Sequence, residues 1–159
     1  MLRTVLAAAA TALSLVSVAG PARATDEPSE ARSATPVTHR PDPLADLPLR
    51  AEWGTVTGEA GVLRRGCRTY TYSYAVTPPD GIWSLEVFIS GPRLKHLAAG
   101  AFLGGYDPEN GVGHYTLCKV TTRYGKFRIE GKLSIDDGVG NIVEGRLPMD
   151  TYLLHAPGR

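Results

Sequence analysis

The chain has 159 residues, 43% of them hydrophobic, with 17 basic and 16 acidic side chains, so it lacks the basic excess that a nucleic-acid-binding domain carries. Two cysteines and four histidines leave little material for a metal cluster. No apolar run approaches the ~20 residues a membrane-spanning helix needs.

The N-terminus reads as an export signal. Arg3 precedes the Ala- and Leu-rich run 5–18, and Gly20-Pro21 and Ala22-Arg23-Ala24 follow it. This order predicts a secretory signal peptide over 1–24, cleaved after Ala24. Cleavage removes Arg3 and Arg23 and leaves 15 basic against 16 acidic side chains, a net charge of −1. No cysteine stands near the cleavage site, so no membrane anchor is expected after cleavage, and the location is secreted or extracellular.

Residues 25–48 carry Pro28, Pro36, Pro41, Pro43 and Pro48 among charged residues, with no aromatic. Such a segment buries too little apolar surface to offset its ordering entropy, and a disordered Pro-rich linker is predicted.

Composition changes at residue 49. Residues 49–159 hold both tryptophans and all seven tyrosines. No long 3.6-residue periodicity occurs. Short alternating runs separated by turn residues predict an all-β domain. A short strand is expected at 52–56 and a long one at 67–76, ended by Pro78-Pro79-Asp80-Gly81. In 82–90, Trp83, Leu85, Val87 and Ile89 share one face, with Phe88 the apolar exception on the other. Residues 94–103 read as a strand or as a helical turn plus a strand. A loop is expected at 107–113 and a strand at 114–122. From Gly125 onward Phe127, Ile129, Leu133 and Ile135 share a face. A hairpin turn at 136–141 leads to strands at 142–147 and 151–155. About seven short strands cannot all lie in one sheet with a dry face. A two-sheet antiparallel β-sandwich is the ordinary solution.

Two cysteines in an exported chain allow one pairing, so a Cys67–Cys118 disulfide is predicted. The order Cys67, Trp83, Cys118, with Tyr115 in the segment 113–118, resembles the immunoglobulin domain, although Tyr115 stands three residues before Cys118 rather than two. That resemblance implies an immunoglobulin-like sandwich whose cysteines bridge the two sheets. The chain is also similar to small exported bacterial single-disulfide domains of unassigned function. Neither resemblance carries an activity.

Catalytic motifs are not found. No His-Glu-x-x-His or Gly-x-Ser-x-Gly occurs, and neither a cofactor nor a metal site is expected. Asp136-Asp137-Gly138-Val139-Gly140-Asn141 has oxygen donors around a glycine, but its spacing fits a hairpin turn better than a calcium loop. An enzyme assembled from distant residues, such as His114 with Asp107 or Glu109, is the least favoured reading. Tyr70, Tyr72 and Tyr74 share one face of 67–76, and Cys67, Thr69, Thr71, Ser73 and Ala75 share the other. An inter-sheet disulfide wants the cysteine face inside, which exposes the tyrosines as a possible binding surface. Core volume wants the tyrosines inside. The expected function is a non-enzymatic secreted domain that binds an extracytoplasmic protein or glycan and no nucleic acid. The alternative is a secreted protease inhibitor presenting a rigid loop at 106–112.

Overall fold

The computed structural model describes residues 42–158. The predicted signal peptide, and the linker as far as residue 41, lie outside the described residues.

A 3-10 turn at Ala51–Trp53 leads into nine strands. They are β1 (Gly54–Gly58), β2 (Gly61–Val62), β3 (Cys67–Val76), β4 (Ile82–Gly91), β5 (Leu94–Leu103), β6 (Asn110–Cys118), β7 (Gly125–Asp136), β8 (Ile142–Arg146) and β9 (Asp150–His155). A three-stranded sheet has the order β1-β3-β6, and a six-stranded sheet the order β2-β9-β7-β4-β5 with β8 also on β7. Strand pairs are antiparallel except β2–β9, which is two residues long and parallel. The fold is the all-β, two-sheet sandwich expected from the alternation of short apolar runs. Eight strands of five residues or more form the body, against about seven expected, and β2 is a two-residue addition that no sequence pattern announces.

Several boundaries differ from expectation, each for a visible reason. The 94–103 segment is strand throughout, because its backbone pairs along β4. β6 begins at Asn110 rather than 114 because Asn110 already pairs with Ala75, and it ends at Cys118, where Thr121 N bonds back to the Cys118 carbonyl in a turn. Residues 42–48, expected as linker, belong to the folded unit. Asp42 Oδ1 accepts from Leu44 N at 2.9 Å, Leu44 is buried, and Pro48 O accepts from Arg146 N of β8. The 136–141 turn is a hairpin as expected. Its φ of 78° at Gly138 and 102° at Gly140 lies in the left-handed region that glycine enters without steric cost.

Burial follows the alternation. Trp83, Leu85, Val87 and Ile89 of β4 and Phe127, Ile129, Leu133 and Ile135 of β7 form one wall of the core. Val56 of β1, Tyr72, Tyr74 and Val76 of β3, and Tyr115 and Leu117 of β6 form the other. The outer face of the larger sheet mixes charged and apolar residues, and there Lys132 Nζ lies 2.7 Å from Glu144 and 3.4 Å from Glu86. The bond to Glu144 raises the Lys132 pKa and lowers that of Glu144.

The small sheet explains why tyrosines are used where leucines would serve for volume alone. Tyr72 and Tyr74 stand directly opposite Gly113 and Gly111 of β6. A Cβ added at Gly113 would meet the Tyr72 ring, and one at Gly111 would stand 2.9 Å from the Tyr74 hydroxyl. The rings therefore lie across glycines and reach beyond their own sheet. Tyr72 Oη donates to Ala99 O at 3.2 Å. Ala99 is an extra residue in β5, because Val87 pairs with Gly100 while Phe88 pairs with Ala98. Such bulges leave backbone groups unpaired in the ladder. Tyr74 Oη donates to Pro108 O at 3.1 Å, and the Tyr115 and Tyr152 hydroxyls join the two sheets at 2.8 Å.

These buried hydroxyls make the fold alkali-sensitive. Burial pushes Tyr72 and Tyr152 from 10.0 up to about 12, and pushes Tyr115 upward too, with the bond to Tyr152 as second cause. A group whose folded pKa is raised binds its proton more tightly when folded. Its contribution is complete below its unfolded value and is lost as pH rises through the folded value. Urea midpoints are therefore expected to fall steadily from about pH 10 to about pH 12. Tyr152→Phe should flatten that slope. A midpoint constant to the end of this range would contradict the burial of these hydroxyls.

Candidate functional site

The tyrosine row faces the core rather than solvent. Tyr72 is 0% exposed and Tyr74 4%, and Tyr70 is half-buried, with its ring 5.7 Å from that of Tyr115. Tyr70 Oη is held locally, accepting from Arg64 N and donating to Val62 O. The disulfide forms, but within the small sheet: Cys67 of β3 pairs directly with Cys118 of β6, Cα to Cα 3.9 Å. Adjacent strands carry both cysteines on the outer face, so the tyrosines fall inside with no bulge. The same placement puts Tyr115 inward and Cys118 outward on a regular β6. It also departs from the sheet-bridging cysteines that the immunoglobulin resemblance implied.

With the inner sheet faces committed to the core, the two ends of the sandwich hold its two largest charged loop clusters. Loops 77–81, 104–109 and 137–141 lie at one end. They contain Asp80, Asp107, Glu109 and Asp137 and no lysine or arginine. Hydrogen bonds fix the middle loop. Tyr106 N and Asp107 N both donate to Leu103 O, Asp107 Oδ2 accepts from Leu103 N at 2.8 Å, and Glu109 O accepts from Val76 N. Tyr106 stands at its tip, 89% exposed. Beside it is an open cavity of about 520 Å³ lined by residues that include Trp83, Tyr106, Asp80 and Glu109. Ile82 and Ile142 flank Asp136 in register here and are 64% and 63% exposed.

The opposite end is basic. A cavity of about 460 Å³ is lined there by Asp42, Ser90, His96, Lys95, Lys126 and Arg128, among others. Sequence patterning did not bring these residues together. A second bulge does so, in which Lys95 and His96 of β5 stand against Ser90 alone on β4. His96 takes a left-handed φ of 47° and Arg93 one of 65°, conformations that bulky residues rarely hold. Ser90 is buried, and its hydroxyl accepts from the His96 backbone N rather than pairing with the imidazole. His96 Nδ1 is buried without a hydrogen bond, 3.8 Å from the Asp42 carboxylate. Serine, histidine and aspartate are thus neighbours here, but they are not linked as a nucleophile relay.

The other sequence candidates are held elsewhere. His114 lies on the exposed face of β6 opposite Thr71, and the cavity beside Tyr106 takes in Glu109 but neither His114 nor Asp107. In the 136–141 turn, Asp137 accepts from Asn141 Nδ2 and from Val139 N and Asn141 N, which lowers its pKa. Those oxygens close the turn. Among the described residues, no helix is long and apolar enough to cross a membrane. Comparison with family models, curated proteins and solved structures finds no match to the chain.

Proposed function

We propose that the protein is an exported, non-enzymatic binding domain that captures an extracytoplasmic protein or glycan at its acidic end. The signal-like N-terminus and the disulfide support export. The observation that carries the binding reading is Tyr106, almost fully exposed at the tip of a loop hydrogen-bonded at both flanks. A rigid tyrosine offers large contact area at low entropy cost. Exposed Ile82 and Ile142 within an acidic rim favour a protein partner with apolar and basic residues over a sugar. The inhibitor reading of 106–112 fits less well. Tyr106 is folded into a turn, and residues 110–112 are paired with 73–75, whereas a protease reads an extended free segment.

The test is capture from the extracytoplasmic fraction and on a glycan array, with wild type compared with Tyr106→Ala and Ile82→Asp. Each substitution is expected to weaken the captured interaction about 30-fold, the effect of a hot-spot residue. Equal capture by wild type and both variants would sink this reading, as would hydrolase activity without any partner.

A further inference from the structure

We propose that the basic end, around the disulfide, docks on an anionic phospholipid bilayer. This surface lies opposite the acidic end and is argued independently of partner capture there.

Loop 63–66, the tight β4–β5 connection (91–95 with the strand residues on either side) and loop 119–124 converge at this end. Lys119 N donates to Gly66 O at 2.9 Å, and Thr122 Oγ1 donates to Pro92 O at 2.7 Å. The three loops carry Arg64, Arg65, Arg93, Lys95, Lys119 and Arg123 and no carboxylate. None of the six forms an ion pair among the described residues, in contrast to Lys132. Lys126 and Arg128 extend the field into the adjoining cavity, where Asp42 is the one carboxylate in the lining. Like charges gathered without counter-charges repel one another, and an anionic partner relieves that cost. The near-neutral net charge conceals this, because the acidic loops cancel it from the far end.

The apolar residues choose a bilayer over a soluble polyanion. Val120 is 86% exposed at the tip of the third loop. Tyr124 of the same loop is 41% exposed, with Lys119 Nζ 4.4 Å above its ring. A hydrated polymer offers nothing to an apolar tip. A membrane interface takes an aliphatic tip among the acyl chains, an aromatic ring at headgroup level and flanking cations on phosphates. The cations also surround the end of the sandwich on three loops, which suits a plane better than a strand. Docked this way, the molecule holds Tyr106 away from the membrane.

The test is sedimentation of the full-length protein with vesicles of phosphatidylcholine alone or mixed with phosphatidylglycerol, across a salt titration. The run 5–18, flanked by Arg3 and Arg23, also favours anionic vesicles, so the contribution of the loops is read from the variants, which share that segment with the wild type. Binding is expected to prefer the phosphatidylglycerol vesicles and to weaken with salt. Arg64→Gln with Arg65→Gln should lower that binding about 30-fold, and Val120→Asp about 10-fold. Equal binding to the two vesicle types overturns the proposal. So does wild-type binding by the double arginine variant, and so does binding of heparin or polyphosphate without binding to vesicles.

Discussion

Tyr72→Ala is expected to cost about 3–5 kcal/mol, enough to unfold a large share of the molecules of a domain this size. The ring is fully buried at the centre of the sandwich, packed edge-on to Phe102 at 6.4 Å and laid over Gly113. Truncation empties this volume, and Gly113 has no side chain with which to refill it. The hydroxyl adds a smaller amount. Tyr72→Phe leaves the Ala99 carbonyl without its donor at a bulge, a loss of about 1–2 kcal/mol. The reciprocal change is also informative. Gly113→Val places a branched side chain where the ring lies, so it should destabilise by at least about 2 kcal/mol through overpacking. Urea denaturation of the three variants gives the order Tyr72→Ala worst and Tyr72→Phe mildest. A Tyr72→Ala loss below about 1 kcal/mol would mean that the small sheet does not rest on this ring.

The architecture was legible because strand alternation and turn chemistry act locally. Trp83 to Ile89 and Phe127 to Ile135 sorted themselves into faces by period, and all of the named apolar residues are core. The same period could not say which face of β3 looks inward. Alternation divides residues into two sets without orienting them, and the cysteine parity turns the tyrosines outward only for a bridge that joins the sheets. A bridge between directly opposed residues of neighbouring strands removes the conflict. The glycines at 111 and 113 held the missing information, since a large ring opposite a glycine has room to lie down across it. The charged ends were hidden for a different reason: each loop holds only one or two like charges. Read in order, however, loops 63–66, 77–81, 91–95, 104–109, 119–124 and 137–141 alternate basic and acidic. In a chain that runs up and down, alternate loops reach opposite ends, so the sign alternation is a readable signal in an all-β chain of this kind. The Ser90–His96–Asp42 neighbourhood had no such signal, because a bulge and a left-handed histidine create it.

Replacing both cysteines, Cys67→Ser with Cys118→Ser, is expected to remove up to about 4 kcal/mol, by the loop-closure entropy of a separation of 51 residues. The enclosed chain contains β4 and β5 and the acidic loops at 77–81 and 104–109, so the bridge restricts the unfolded ensemble over nearly half of the folded unit. In the folded state it duplicates information already present. A one-residue slip of β6 on β3 would turn Tyr115 and Leu117 out to solvent and expose the Tyr115–Tyr152 hydroxyl pair. The register should therefore survive in the serine variant, with the same core and a lower midpoint. Circular dichroism should show an unchanged strand signal at low temperature and a melting temperature lowered by about 10 °C or more. Loss of the strand signal at every temperature would show instead that the bridge sets the register, and that the glycine–tyrosine pairs are too weak to hold it alone. The basic loops flank the bridge, with Lys119 N bonded to Gly66 O. Reduction is therefore also expected to loosen the proposed membrane-facing end before the Tyr106 end, which vesicle binding and partner capture measured on the same reduced sample would separate.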